Sequence, residues 1–298
     1  MHPWNQPILD SLAGRLERLP HALLVYGPRG IGKLALAERM AQLLLCEGKK
    51  RPCDACDACR WFLSGNHPDF RRLEPEVLWQ EPPEKEKPSI EIKVDQVREL
   101  AGFLHTGSHR GRLRVALVHP AEDMNENAAN ALLKGLEEPP AAAVFILVSH
   151  RPARLLPTTR SRCVRVPVGI PPRQEALAWL SAQGLKDAGR WLAYAGGAPL
   201  LAVEQAARGK VALAPVNDRD GLEPLAEALQ KLALDNALLA FGLPTKYQTA
   251  AGRVEPGKVR EWLAFARRMG QDRLLCRHPL NPRLFSAAML ATIPKGPD

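Results

Sequence analysis

Seven consecutive residues, Gly27-Pro28-Arg29-Gly30-Ile31-Gly32-Lys33, have the composition and spacing to cradle a polyphosphate. Two glycines bracketing four residues and followed by lysine form the phosphate-loop pattern. The glycines let backbone N–H groups turn toward phosphate oxygens, the following helix adds partial positive charge, and Lys33 neutralises the terminal phosphates. The next position normally supplies a hydroxyl that ligates magnesium, but here it is Leu34. A working site also needs acidic residues at the end of a nearby strand, and Arg114-Val115-Ala116-Leu117-Val118 runs instead into His119 and Pro120. Glu122 and Asp123 fall beyond it, in the following turn. Gly27, Gly30, Gly32 and Lys33 are therefore read as a degenerate phosphate loop, and no ATP turnover by this chain is expected. A hydrolytic site without its carboxylates forfeits factors on the order of a thousand. An active phosphate-loop ATPase is the alternative, and the same substitutions weigh against it.

A second group could hold a metal. Cys46, Cys53, Cys56 and Cys59 lie in one short stretch ending in CxxCxxC, a spacing at which thiolates converge on a tetrahedral Zn²⁺. Four sulfurs leave no position for water, so such an ion would be structural. His67 could compete with Cys46 as the outlying ligand, and free thiols are the bland alternative. Cys163 and Cys276 read as ordinary buried thiols.

These residues need elements to position them. Ile8, Leu12, Leu16 and Leu19 recur at helical spacing before the apolar run Ala22-Leu23-Leu24-Val25-Tyr26, which reads as a buried parallel strand. A helical pattern over 33–45 follows. Residues 80–88, rich in proline and charge, read as an exposed loop, and helical spacing resumes at Val94, Val97, Leu100 and Leu104. Strands over 113–118 and 143–148 flank a helix over 125–137, which has Asn125 as its N-cap and stops at Pro139-Pro140. This alternation predicts an α/β doubly wound parallel sheet over 1–166, with the cysteine module inserted at about 46–66. Helical patterns near 173–182, 187–195 and 200–207 predict a small lid over 167–210. Others near 222–234, 259–269 and 283–290 predict an all-helical C-terminal region over 211–298.

Hydrophobic residues make up 46% and charged residues 24%, which argues against disordered or fibrous classes. No apolar run approaches the roughly 20 residues that span a bilayer, and no signal-peptide pattern opens the chain, so a cytoplasmic location is expected. A net charge of +9 favours an anionic partner such as nucleic acid, although no run of five basic residues localises a binding stripe. A zinc-dependent nucleic-acid binder acting alone is thus a further reading, which salt-dependent DNA binding by the isolated chain would support.

Three features together resemble the clamp-loader family of AAA+ proteins associated with DNA polymerase III. They are the cysteine knuckle after a phosphate-loop helix, Asn127-Ala128-Ala129-Asn130-Ala131-Leu132-Leu133-Lys134 running into Leu136-Glu137-Glu138-Pro139-Pro140, and Ser161-Arg162-Cys163. The resemblance covers about 21–166. It implies an AAA+ sheet domain, a helical lid and a C-terminal collar. It also implies assembly with delta and tau/gamma subunits into a loader that places the sliding clamp on primed DNA. Within that family tau/gamma is the ATPase, and Leu34, His119 and Pro120 align this chain with non-hydrolysing members. Leu200, in Gly197-Ala198-Pro199-Leu200, stands where an active member carries a nucleotide-sensing arginine. The family pattern gives Arg162 the role of an arginine finger reaching the γ-phosphate held by a neighbouring tau/gamma subunit. Lys134 and Glu137 or Glu138 could face the same or the opposite interface, while Leu132, Leu133 and Leu136 pack their helix on the sheet.

Overall fold

A computed structural model describes residues 1–79, 88–106, 108–109, 113–249, 254–276 and 278–294, which divide into two compact units, Met1–Ile170 and Pro171–Asp298. Most of the stretch read as a proline-rich loop, residues 80–87, lies outside the described residues.

The first unit is built on five parallel strands: β1 (Ala22–Tyr26), β2 (Phe70–Leu73), β3 (Arg114–Val118), β4 (Ala143–Ser149) and β5 (Val164–Pro167), in the order β2-β3-β4-β1-β5. The central strands β3 and β4 are buried along their whole length. Helices on both faces demand this, and it is why Val115 to Val118 and Ala143 to Val148 are uninterrupted apolar runs. Around them run α1 (Gln6–Ala13), α2 (Lys33–Leu45), α3 (Asp57–Leu63), α4 (Val94–His105), α5 (Glu126–Glu137) and α6 (Pro157–Ser161). One face of the sheet closes over Ala116, Val118, Leu132, Leu136, Phe145, Leu147 and Cys163. Asn125 caps α5 as expected, its side chain accepting from the Ala128 N–H at 2.9 Å.

Two expectations needed revision. The single helix read from Ile8 to Leu19 is two pieces: α1 ends at Gly14, a short 3₁₀ turn covers Leu16–Arg18, and Leu19 is extended. Glycine is a poor helix former, and the residue before Pro20 is pushed out of the helical region. Strands β2 and β5 went unread, because Phe70-Arg71-Arg72-Leu73 and Val164-Arg165-Val166-Pro167 lack an apolar run. Among the described residues each pairs with one neighbour, β2 with β3 and β5 with β1. Edge strands tolerate charge and proline that a central strand does not.

The second unit is helical: α7 (Arg173–Ala182), α8 (Ala188–Tyr194), α9 (Pro199–Arg208), α10 (Leu222–Ala240), α11 (Val259–Leu275) and α12 (Pro282–Ala291). It contains two apolar clusters. Ala176, Leu180, Leu192 and Ala202 hold α7, α8 and α9 together, and Leu225, Leu229, Trp262, Phe265, Met269 and Met289 hold α10, α11 and α12. The fully buried Asp235 on α10 accepts the backbone N–H groups of Lys246, Tyr247 and Thr249 and the Thr249 hydroxyl, at 2.7–2.9 Å, which ties down the loop after α10. No helix among the described residues is long and apolar enough to cross a membrane.

Candidate functional site

The phosphate loop joins β1 to α2, as its sequence requires. Gly30 and Gly32 have φ of 78° and 82°, in the left-handed region that glycine occupies without strain. Gly27 is needed for a different reason: a Cβ there would lie 2.1 Å from the Val168 carbonyl oxygen, just past β5. Lys33 is 2% exposed, and its ammonium donates to the Pro28 carbonyl inside the loop. Burial lowers its pKa to about 8, while the nearby Glu122 carboxylate acts in the opposite direction. The loop is also held from outside. The Trp4 indole donates to the Ile31 carbonyl at 2.9 Å, and Asn5 Nδ2 donates to the Ile31 and Gly32 carbonyls at 3.1 and 3.2 Å. Leu34 follows with an apolar, half-buried side chain that carries no oxygen.

At the end of β3, where a magnesium-holding carboxylate would stand, His119 faces His150 from the end of β4. Their Nε2 atoms are 3.2 Å apart and the rings nearly perpendicular. Burial is the main cause that drives the pKa of His119 to about 4 and of His150 to about 3. For His119 the next cause is its histidine neighbour, and for His150 it is the positive charges of Lys33, Arg29 and Arg151. Both rings are thus neutral over the ordinary pH range. Glu122 lies in the turn Ala121–Asp123 beyond the strand and accepts the His150 backbone N–H at 2.9 Å. Asp123 contributes its carbonyl to the Ile92 N–H. Leu34 and the histidine pair supply none of the oxygen donors that a catalytic magnesium needs.

The C-cap of α2 is Cys46, and there the second group begins. The ligand atoms of Cys46, Cys53, Cys56 and Cys59 all lie within 4.8 Å of one another. The Cys46–Cys56 and Cys53–Cys59 sulfurs are 3.9 and 4.0 Å apart. A tetrahedral ion with metal–sulfur bonds of about 2.3 Å needs sulfurs about 3.8 Å apart, so the four thiols are shaped to hold one ion. Backbone N–H groups point at the sulfurs: Gly48 and Cys53 toward Cys46, Cys56 toward Cys53, and Cys59 toward Cys56, at 3.3–3.4 Å. Such bonds favour thiolate, and those from Ala55 and Cys56 bring the Cys53 pKa down to about 6. On α2, Gln42 donates to the Asp54 carboxylate at 2.9 Å and Arg39 pairs with it, clamping the knuckle to the helix. His67 is not one of the group; its Nδ1 accepts the Asp69 N–H at 3.1 Å.

Arg162 is the C-cap of the short helix α6, two residues before β5 begins at Val164. Its guanidinium is one-third exposed, donates to the Thr158 carbonyl at 3.0 Å and pairs with the Glu137 carboxylate at 2.5 Å. The neighbouring Cys163 is buried, whereas Ser161 is exposed. Lys134 and Glu138 are exposed on and just after α5, and Leu132 and Leu136 are buried beneath it. Leu200 lies in the first turn of α9, in the helical unit.

The loop and the sulfur cluster are local patterns legible in the sequence, but two features escaped it. His150 follows an apolar strand without any motif, and only knowledge that β3 and β4 are neighbours brings it to His119. The Arg162–Glu137 pair joins residues far apart in the chain, and neither residue alone signals the other.

With this geometry in hand, the likeness to known proteins is specific. Residues 7–170 match the family model described as DNA polymerase III, delta subunit. The DNA polymerase III subunit delta' of Pseudomonas aeruginosa is 46% identical over 214 residues, covering 68% of this chain and 60% of that protein. The DNA polymerase III subunit tau of Salmonella typhimurium is 33% identical over 165 residues, covering 54% of this chain and 24% of that protein. Among solved structures, a DNA polymerase III gamma subunit-related protein of Thermotoga maritima aligns over 95% of this chain and 97% of its own, at 18% identity and a TM-score of 0.48. The chain spans about half to three-fifths of the length of the curated delta-prime relatives it matches. By this match to its sheet unit, the chain belongs to the DNA polymerase III delta-subunit family, among the delta-prime proteins.

Proposed function

We propose that the chain is a non-hydrolysing subunit of a cytoplasmic clamp loader, assembled with delta and tau/gamma, that lends Arg162 to the ATP site of a tau/gamma neighbour while the assembly loads the sliding clamp onto primed DNA. The observation that carries this reading is a contrast within one sheet. The chain's own phosphate corner has Leu34, His119 and His150 where magnesium ligands belong, while Arg162 stands partly exposed at the strand edge. A permanently charged planar guanidinium can stabilise a transferring phosphoryl group in a pocket that another chain completes. Gly27, Gly30, Gly32 and Lys33 then serve the fold first, with Lys33 tied to its own loop. Zinc at Cys46, Cys53, Cys56 and Cys59 would be a structural cross-link that fixes the knuckle. The two apolar clusters of the second unit support its reading as a lid over 167–210 and a collar over 211–298.

The test has two arms. The isolated chain should turn over no ATP above background, and a robust rate abolished by Lys33→Ala would return it to the tau/gamma-type ATPase reading. In the loader reconstituted with its own delta and tau/gamma, Arg162→Ala should leave assembly intact and lower DNA-stimulated ATPase and clamp loading by roughly tenfold or more. An unchanged rate would remove the finger assignment.

A further inference from the structure

The role of Arg162 raises a mechanical question: what keeps a long, flexible cation aimed outward before and during turnover? An unrestrained arginine carries about 2 kcal/mol of rotamer entropy, all of which opposes a single productive geometry. The two residues that flank the contact are anchored in one place. Leu136 is 2% exposed and Cys163 is 7% exposed, and both belong to the same buried cluster under the sheet. The end of α5 is fixed further where the His21 ring meets the Leu136 carbonyl at 3.1 Å. Glu137 and Arg162 are each one residue from these anchors, so the packing that buries Leu136 and Cys163 brings their side chains out at a common spot.

There the guanidinium meets two acceptors of its own chain. Nη1 donates to the Thr158 carbonyl at 3.0 Å, and Nη2 lies 2.5 Å from Glu137 Oε1. Two acceptors on the protein side orient a planar fork that has five N–H donors in all. Donors not used in this grip can meet a phosphate.

From this geometry we infer that Glu137 is a positioning residue for the Arg162 finger, holding the guanidinium in the plane and direction in which it meets the neighbour's γ-phosphate. The inference rests on the reading of Arg162 given above. Glu137 touches no substrate and acts through the arginine. The pair is partly exposed, with side-chain exposures of 33% and 47%, so its contribution to folding stability is small and its removal should leave the fold intact. What it removes is preorganisation, and a misaimed group near a reacting centre costs rate rather than affinity.

The experiment is steady-state, DNA-stimulated ATPase of the loader reconstituted with its own delta, tau/gamma and clamp, comparing parent, Arg162→Ala, Glu137→Ala and Glu137→Gln. Glu137→Ala should lower kcat roughly three- to tenfold with KM for ATP unchanged, and with the same melting temperature and elution position as the parent. Glu137→Gln keeps an acceptor oxygen and should recover part of that loss. If Arg162→Ala is as active as the parent, the finger reading falls and the inference falls with it. If Arg162→Ala is impaired while Glu137→Ala matches or exceeds the parent, the finger stands and the positioning role is overturned. A rise in KM with kcat unchanged, or a Glu137→Ala chain that no longer joins the loader, would assign Glu137 to nucleotide binding or assembly and would equally overturn it.

Discussion

Helix α2 carries the phosphate loop at its N-terminus and the first cysteine of the knuckle at its C-cap, so two potential sites share one rigid rod. They differ in what has been kept. At the C-terminal end all four sulfur donors are present, and backbone N–H groups orient them. At the N-terminal end the scaffold is present, with left-handed glycines and a buried lysine, but the oxygen donors are replaced by Leu34 and a neutral histidine pair. Scaffold and donors are therefore separable. A loop can pack without its ligands, whereas four converging sulfurs form a set that one ion would fill.

The largest effect should come from breaking the complete set. Cys59 is fully buried at the start of α3, and Cys59→Ser replaces a thiolate by a weak ligand in the middle of the cluster. Elemental analysis should give about one equivalent of zinc per chain for the parent and well below half an equivalent for the variant. The melting temperature should fall by on the order of 10 °C, because the binding energy of a structural ion is folding energy. Less than half an equivalent of zinc in the parent, or a variant that melts with the parent, would mean that the four sulfurs converge without an ion.

The next effect sharpens the other half of the contrast. If the loop is retained for packing, its glycines should matter to stability in a protein that needs no nucleotide. At Gly27 an added Cβ meets a backbone carbonyl at 2.1 Å, and backbone cannot swing aside as a flexible side chain can. Gly27→Ala should cost about 3 kcal/mol in denaturant unfolding, a figure typical of overpacking combined with backbone strain. A cost below about 0.5 kcal/mol would place the loop outside the packed core.

The same distinction explains what the sequence made legible. Central strands declare themselves because burial on both faces forces unbroken apolar runs, as from Ala143 to Val148. Edge strands do not, since Arg71, Arg72 and Arg165 sit on them at no cost to burial. The four cysteines and the missing hydroxyl at Leu34 are local facts, readable at fixed spacing. His119 meeting His150, or Glu137 meeting Arg162, depends on which elements are neighbours, and that is set by strand order rather than by any nearby residue. The anchoring of 246–249 on Asp235 is of the same kind. An aspartate in a helix that also carries Glu223, Glu227 and Lys231 gives no sign of its burial until the loop that covers it is seen.

The smallest effect concerns the histidine pair, and its sign can be worked out. In the unfolded chain both rings take up protons below about pH 6.5. In the folded chain burial, together with the positive charges of Lys33, Arg29, Arg151 and Arg72, holds them neutral down to about pH 4 for His119 and about pH 3 for His150, and only Glu122 favours protonation of His119. Between these limits the unfolded state binds more protons, so this contribution to stability is lost as pH falls from about 6.5 toward 4. Discounted for partial exposure and for the coupling of the two rings, it is on the order of 2 kcal/mol for the pair. Denaturant unfolding at pH 7 and pH 4 should therefore show a shallower acid loss in the double variant His119→Gln, His150→Gln than in the parent. Equal losses would mean that the folded corner already accepts protons and carries charge. The contrast between a filled donor set and a neutralised one would then fail at the point where a hydrolase would keep its carboxylate.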